Sequence, residues 1–287
     1  MPDLFWTAPD GLRLHAVDSP GNDSATPVIC IHGLTRNARD FEDINPQINR
    51  LGRRVIAVDI RGRGGSAWDP DVRNYQPGVY AADIAALLDA TGIRKALFIG
   101  TSMGGIITMV LAAIRPEAIA GTVLNDIGPE VSPVGIARIA GYVGQGKPPE
   151  DWAGAAAYIK GVNQAAFPDM DDAGWMTFAR RTFKEGPGGK PVLDYDPGIS
   201  AAFKPDPDAP PIAPPDMWPL FRALNAAGPV ALIRGGLSDL IDDGIAQRMR
   251  QAAPHMIYAE VPGVGHAPLL TEPEAWGAIT QILARVP

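Results

Sequence analysis

A serine flanked by glycines is the first feature of this sequence that could do chemistry. Residues 100–104 are Gly-Thr-Ser-Met-Gly, so Ser102 lies in a Gly-x-Ser-x-Gly pattern. The pattern is informative where it follows a buried strand and opens a helix, because a nucleophilic serine must project above a sheet from a tight turn. Residues 95–99 before it and 106–110 after it are mostly apolar and meet both conditions. We therefore predict that Ser102 is a nucleophile, the alternative being a serine that caps the helix.

A serine hydroxyl is a weak nucleophile at neutral pH and needs a neighbouring base. His266 is the best candidate, because residues 263–268 are Gly-Val-Gly-His-Ala-Pro and place it on a loop after the last predicted strand. His255 follows Pro254 at the exposed start of that strand and is a weaker choice. His32 ends an early buried strand, and we expect it to shape a loop rather than to transfer protons.

The imidazole in turn needs a carboxylate that fixes its tautomer and stabilises the imidazolium. Asp239 follows a buried strand and lies between Ser102 and His266, which gives the chain order Ser, Asp, His. Asp126 also follows a strand and is the competitor. We predict Asp239 as the third member of the triad and leave Asp126 open.

Acyl transfer also requires N–H donors aimed at the developing oxyanion. One is expected at Met103, directly after the serine. The other is expected at Leu34, or with less support at Thr35, in the loop that begins with the His-Gly pair at 32–33. Arg36 and Phe41 could line a substrate pocket, although solvated or packing roles fit them at least as well.

The elements that must position these residues alternate between strands and helices. Short apolar or alternating runs predict strands, and runs with helical spacing predict the helices between them. This order implies a parallel sheet with right-handed crossovers. The predicted strands are 11–17, 27–31, 54–60, 95–99, 119–124, 230–233 and 256–261, and the predicted helices are 80–88, 104–114, 244–253 and 273–286.

The alternation stops near residue 130 and resumes near residue 229. Between these positions lie helical pieces with aromatic residues, including Tyr142 and Trp152, and a proline-rich stretch from Pro205 to Pro219. The many large apolar side chains argue for a folded insertion rather than a disordered linker. We therefore predict a core made of residues 1–129 and 229–287, with residues 130–228 inserted as a cap.

The composition excludes several classes of function. The chain has 287 residues and a formal net charge of −7, so it has no basic field that would attract nucleic acid or anionic lipid. Its one cysteine, Cys30, cannot form an intramolecular disulfide, and the Cys and His spacing does not fit a zinc site. Residues 1–10 lack the parts of a secretory signal, and no apolar run reaches 18 residues. We expect a cytoplasmic enzyme that needs no metal or organic cofactor and no membrane; the oligomeric state stays open.

Taken together, the motifs resemble those of the α/β-hydrolase family. They are His-Gly at 32–33, Asp-x-Arg-Gly-x-Gly-x-Ser at 59–66, Gly-x-Ser-x-Gly at 100–104, Asp239, and Gly-His at 265–266, and they cover nearly the whole chain. The resemblance implies an α/β-hydrolase fold, in which a mostly parallel sheet is flanked by helices and a largely helical cap is inserted after the sixth strand. Asp59 and Arg61 are then expected to brace a loop beside the site.

The serine at position 102 argues against the dehalogenases and epoxide hydrolases of that family, whose nucleophile is aspartate. The resemblance implies hydrolysis of a carboxylic ester or lactone, with a small to medium and fairly apolar substrate and an acyl-enzyme intermediate. Thr35, Arg36, Tyr142 and Trp152 are the expected substrate contacts. Three alternatives stay open: hydrolysis of a carbon–carbon bond in ring-cleavage diketones, a lyase or cofactor-free oxygenase reaction, and a ligand receptor without turnover.

Overall fold

A twisted sheet of eight strands forms the centre of the protein. The structure, a computed structural model, describes residues 2–144, 149–203 and 215–287. The eight strands are β1 (Asp3–Thr7), β2 (Arg13–Ser19), β3 (Val28–Ile31), β4 (Val55–Asp59), β5 (Ala96–Thr101), β6 (Ile119–Asn125), β9 (Val230–Gly235) and β10 (Ile257–Val261), and a separate hairpin contains β7 (Phe183–Glu185) and β8 (Pro191–Leu193). Their order across the large sheet is β1-β2-β4-β3-β5-β6-β9-β10. The pairings from β4 to β10 are parallel, and β1 and β2 extend the sheet through antiparallel pairings.

Helices cover both faces of this sheet. The helices of the described residues are α1 (Asn45–Arg50), α2 (Pro77–Thr91), α3 (Met103–Ile114), α4 (Pro133–Tyr142), α5 (Trp152–Asn163), α6 (Asp172–Thr182), α7 (Trp218–Ala227), α8 (Asp243–Ala252) and α9 (Pro273–Leu283). Alternate residues of β3 enter different cores: Ile29 and Ile31 join the cluster that contains residues of α2 and α3, whereas Val28 and Cys30 join the cluster that contains residues of α9. Because both faces are covered, the central strands have apolar residues at nearly every position. The predicted fold is confirmed.

Strand β1 was not predicted from the sequence. It lies at the edge of the sheet, and three of its five residues are exposed, so the apolar alternation that identifies a half-buried strand is weak. Its inward residue is Trp6, whose indole Nε1–H donates to the Asp83 carbonyl at 3.0 Å. This contact links the edge strand to α2.

The segment between β6 and β9 contains helices α4 to α7 and the β7–β8 hairpin. The rings of Phe167 and Trp175 pack edge to face at 6.4 Å, in a small apolar cluster that is separate from the two main cores. Helix α7 packs against α3 instead. The boundaries of the cap at 130 and 228 stay a prediction, and Pro205 to Pro214 of the proline-rich stretch lie outside the described residues.

The loop after β4 is held by a buried carboxylate. Asp59 accepts hydrogen bonds from the Ala38 N–H at 2.7 Å, the Gly65 N–H at 2.8 Å and the His15 Nδ1–H at 2.7 Å. The Ser66 hydroxyl donates to the Asp59 carbonyl at 2.6 Å. Asp59 thus ties both ends of the 59–66 loop to the neighbouring strands, as its expected bracing role requires.

Arg61 fixes the outer part of the same loop. Its buried guanidinium bonds to both carboxylate oxygens of Asp83 and to Asp69 and Asp10, at 2.5 to 2.7 Å. Burial opposes the charged form, but the bonds to Asp83 and Asp10 outweigh it and raise the pKa of Arg61. The positive charge is therefore fully compensated.

Replacing Arg61 with methionine should destabilise the fold strongly, because it leaves two buried carboxylates without their counter-ion. We expect Arg61→Met to lower the free energy of unfolding by about 3–5 kcal/mol. Urea denaturation followed by circular dichroism measures the change. Arg73→Ala is the control, since it breaks an exposed pair with Asp71, and an equal loss in both variants would contradict the prediction.

His32 is fully buried at the end of β3. Its Nδ1–H donates to the Gly33 carbonyl at 2.6 Å, and its Nε2 accepts from the Ile60 N–H at 3.1 Å, so the ring is neutral with the proton on Nδ1. Burial lowers the pKa of His32 from 6.5 to about 4.

This shift predicts a loss of stability in acid. Below pH 6.5 the unfolded chain binds a proton at His32 that the folded chain does not bind until pH 4, so the folded state is progressively disfavoured. The contribution amounts to about 3 kcal/mol between pH 6.5 and pH 4. We expect the free energy of unfolding of His32→Gln to fall less steeply over this range than that of the wild type. The exposed His255 supplies the control, and His255→Gln should keep the wild-type slope.

Candidate active site

The turn between β5 and α3 presents Ser102 at the carboxyl edge of the sheet. Ser102 has φ 51° and ψ −116°, a left-handed conformation that non-glycine residues seldom adopt. A Cβ on Gly100 would lie 2.5 Å from the backbone of Gly104, and one on Gly104 would lie 2.1 Å from the Ile31 carbonyl oxygen. Backbone atoms therefore come so close to the two glycines of the motif that a side chain would not fit. This close approach allows the strained turn to form.

Three side chains from separate loops form a continuous hydrogen-bonded chain. The Ser102 hydroxyl lies 2.9 Å from Nε2 of His266, and Nδ1 of His266 lies 2.8 Å from Oδ2 of Asp126. Asp126 is inaccessible to solvent and the side chain of His266 is nearly so. The arrangement can deprotonate the hydroxyl and stabilise the imidazolium that results.

Asp126 is held in one orientation by two further donors. It has φ 54° directly after β6, and its carboxylate accepts from the Gly235 N–H at 2.9 Å and the Ser238 hydroxyl at 2.6 Å. The Ser238 oxygen accepts in turn from the N–H groups of Leu240 and Ile241. No pattern in the sequence had singled out Ser238, because its contact depends on how the loop after β9 folds back over β6.

The prediction that Asp239 contacts His266 is wrong. Its carboxylate pairs with Arg138 of α4, whose Nη2 lies 2.9 Å away, and this pairing outweighs partial burial and lowers the pKa of Asp239. The Ser238 N–H donates to the Gly235 carbonyl and closes a turn, and the Ser238 hydroxyl in this turn bonds to Asp126. The competitor Asp126 occupies the expected position.

The order of the strands explains this outcome. Strand β6, which leads into Asp126, is the direct neighbour of β5, which leads into Ser102, whereas β9 lies one strand further away. Asp126 also follows its strand immediately, while Asp239 comes four residues after β9 ends at Gly235. The sequence did show that Asp126 directly follows a strand. How strongly this position favours Asp126 depends on the strand order, which the sequence does not reveal.

The residues predicted to supply the oxyanion donors lie beside the serine. A Cβ placed on Gly33 would lie 3.7 Å from the Ser102 Cβ, which brings the loop after β3 against the nucleophile turn. The His32 Nδ1–H bonds to the carbonyl of the Gly33–Leu34 peptide. Because the C=O and N–H of a trans peptide point in opposite directions, the Leu34 N–H points away from that carbonyl. Met103 is the first residue of α3, where N–H groups have no partner within the helix.

A cavity of about 290 Å³ opens onto Ser102 and His266. Residues of α4, α5 and α6 form its roof, and most of its wall is apolar or aromatic. Of the four predicted substrate contacts, Thr35, Arg36 and Tyr142 line it, as does the predicted oxyanion residue Leu34, whereas Trp152 is absent from the wall. Trp152 instead donates from its indole N–H to the Gly189 carbonyl and stacks with Arg180, so its predicted substrate contact is wrong. Side chains that line the cavity and had no prediction include Tyr158, Ile159, Phe167, Phe178, Leu193 and Tyr195.

Arg36 joins the core to the roof of the cavity. Its guanidinium bonds to Asp40 through Nε at 2.9 and 3.0 Å, to the Thr182 hydroxyl through Nη1, and lies 4.1 Å from the centre of the Phe178 ring. The positive charge is thus compensated by Asp40. The guanidinium of Arg36 stacks on the Phe178 ring and is a polar group in an otherwise largely apolar cavity wall.

The described part of the chain offers no metal site and no membrane span. Within residues 2–144, 149–203 and 215–287, no group of three or more His, Cys, Asp or Glu side chains could hold a metal ion. No helix in those ranges is both long and apolar enough to cross a bilayer.

Comparisons with known proteins agree with this architecture. The sequence model of the family described as alpha/beta hydrolase fold matches residues 26–273. A 3-hydroxybutyrate-oligomer hydrolase of Cupriavidus necator is 32% identical over 272 residues, which cover 93% of this chain and 91% of that protein. An esterase of Mycobacterium tuberculosis is 27% identical and covers 81% of this chain and 73% of its own length.

A solved structure has the same fold. The crystal structure of an α/β-hydrolase from Novosphingobium aromaticivorans superposes with a TM-score of 0.90 at 44% identity, and the match covers 99% of this chain and 98% of that one. The matched segment of the family model contains Ser102, Asp126 and His266. The chain is therefore a hydrolase of the α/β-hydrolase family.

Proposed function

We propose that this protein hydrolyses carboxylic esters through an acyl-enzyme intermediate, with Ser102 as the nucleophile. The observation that carries the proposal is the unbroken chain of hydrogen bonds from Ser102 through His266 to the buried Asp126, at 2.9 and 2.8 Å, at the floor of a cavity. Asp126 takes the role that the sequence had favoured for Asp239.

In the first half of the reaction, Ser102 Oγ attacks the ester carbonyl while His266 Nε2 takes its proton. The N–H groups of Leu34 and Met103 stabilise the negative charge on the carbonyl oxygen. Asp126 accepts from the Nδ1–H of His266 throughout, which keeps Nε2 free to act as base and stabilises the imidazolium. The imidazolium then donates its proton to the leaving alkoxide, and the alcohol departs.

In the second half, a water molecule attacks the acyl group on Ser102. His266 takes a proton from this water and returns it to the serine oxygen as the acid leaves. None of these steps needs a group beyond the side chains and backbone N–H groups that surround the cavity.

The cavity supports an ester of small to medium size as the substrate. A volume of about 290 Å³ lies at the lower end of ligand pockets, and its wall is mostly apolar with a few polar groups. The relative from Cupriavidus necator is a hydrolase of 3-hydroxybutyrate oligomers, and such oligomers are linear esters of a short hydroxy acid. Short linear oligoesters are therefore the substrate class that we favour over lactones.

Removing the nucleophile should abolish turnover without affecting the fold. We expect Ser102→Ala to lower kcat for p-nitrophenyl butyrate by at least about 10⁴-fold, because the loss of one triad member removes the whole relay. The circular dichroism spectrum should not change. Ser24→Ala, at an exposed serine, is the control. A fluorophosphonate should modify the wild type at Ser102, and retained turnover in pure Ser102→Ala would overturn the proposal.

Paired substitutions separate the two carboxylates. Asp126→Asn should lower kcat by about 10³- to 10⁴-fold, because the amide no longer holds the imidazole in the required tautomer. Asp239→Asn should cost less than about tenfold, since its partner is Arg138. Steady-state kinetics on the same ester measures both variants, and a larger loss in Asp239→Asn would restore Asp239 to the triad.

A further inference from the structure

A second buried arginine lies in the loop after β4, next to the proposed oxyanion donors. Arg63 has no exposed surface. Among the described residues, no carboxylate oxygen lies within 4.0 Å of its guanidinium, in contrast to Arg61, which bonds to three aspartates. Asp59 at the start of the loop is already engaged by His15 and by two backbone N–H groups.

Neutral groups alone hold the Arg63 guanidinium. Nε donates to the Leu34 carbonyl at 2.9 Å, and Nη1 donates to the Arg61 carbonyl at 2.7 Å and to the Tyr80 hydroxyl at 3.0 Å. Nη2 lies 3.8 Å from the Met103 sulfur. The cation also lies 5.1 Å from the centre of the Tyr80 ring and 5.5 Å from that of Tyr75.

This arrangement is costly for the fold. Burying a charge without a counter-ion carries a large desolvation penalty, which dipoles and aromatic rings offset only in part. Methionine or leucine would fill such a position at less cost. An uncompensated buried cation therefore points to a function for the charge itself.

The partners of Arg63 identify that function. Two of them, Leu34 and Met103, are the residues whose backbone N–H groups are proposed to bind the oxyanion. The bond to the Leu34 carbonyl fixes the loop after β3, while the contact with the Met103 side chain joins this loop to the start of α3. One rigid guanidinium thus sets the spacing of both donors.

We propose that Arg63 is a positioning residue for the oxyanion hole and that its uncompensated charge stabilises the transition state; this inference rests on the proposed ester hydrolysis. The developing negative charge of the tetrahedral intermediate forms on the side of Leu34 and Met103, beyond which the guanidinium lies. Because Arg63 is fully buried in surroundings of low dielectric constant, its positive charge acts over several ångströms on a charge that exists only in the transition state. The substrate carbonyl is neutral and gains little from it.

Three substitutions separate the charge from the hydrogen bonds. Arg63→Met removes both, Arg63→Gln keeps a donor but removes the charge, and Arg63→Lys keeps the charge but loses the forked geometry. Arg53→Met is the control, because Arg53 is a part-buried arginine that bonds to backbone oxygens far from the site, those of Thr26, Leu283, Val286 and Pro287, at the opposite end of the sheet.

The readouts are kcat and KM for p-nitrophenyl butyrate, the Ki of an alkyl trifluoromethyl ketone that forms an oxyanion with the serine, and Tm. We expect Arg63→Met and Arg63→Gln to lower kcat by about 10- to 100-fold and to raise the Ki by a similar factor, with KM within about threefold of the wild type. Arg63→Lys should retain more activity than Arg63→Gln. Arg53→Met should lower Tm and leave kcat and Ki unchanged.

The inference is overturned if kcat and Ki of the neutral variants stay within about threefold of the wild type, or if Arg63→Gln is as active as Arg63→Lys. If Arg63→Met does not fold, the comparison of the Gln and Lys variants decides. Ser102→Ala is assayed in parallel: an inactive Ser102→Ala together with fully active Arg63 variants refutes only the role of Arg63, whereas an active Ser102→Ala refutes the proposed hydrolysis itself.

Discussion

The hydrogen bond between His266 and the buried carboxylate of Asp126 organises the whole carboxyl edge of the sheet. Asp126 also accepts from the Gly235 N–H and the Ser238 hydroxyl, so the loops after β6, β9 and β10 converge on one side chain. A buried carboxylate without these donors would be strongly disfavoured. With them it has one orientation, and it passes that orientation to the imidazole beside Ser102. The proposed chemistry depends on this rigidity, because a base must be in place before the substrate arrives.

The 59–66 loop contains two buried arginines, Arg61 and Arg63, whose positive charges have different surroundings. Arg61 is neutralised by aspartates and contributes to stability. Arg63 is surrounded by carbonyls, a phenol, a thioether and two rings, and it contacts the residues of the proposed oxyanion hole. The first arrangement closes the loop against α2, and the second extends the loop into the site. A structural brace and the proposed source of catalytic charge are thus two residues apart on one backbone segment.

The roof of the cavity and the hydrogen-bonded chain below it come from different parts of the sequence. The core supplies Ser102, His266 and Asp126, whereas helices α4 to α6 supply most of the apolar roof of the cavity. Contacts such as Arg36 with Phe178, and Arg138 with Asp239, connect the two parts. Under the proposed ester hydrolysis, changes in the roof would alter the acyl or alcohol group that fits without disturbing the hydrogen-bonded chain below it, as expected where one fold carries many reactions.

The sequence by itself determined seven of the eight strands of the large sheet, the turn at Ser102 and the candidate base His266, because apolar periodicity and glycine requirements act over a few residues. Only the tertiary structure decided that Asp126 rather than Asp239 bonds to His266, that Trp152 lies outside the cavity wall, and that Arg63 is buried without a carboxylate partner among the described residues. Each of these depends on which strands are neighbours and on how loops distant in the chain fold against each other. Long-range packing brings such side chains together, and a local sequence pattern does not reveal which ones will meet.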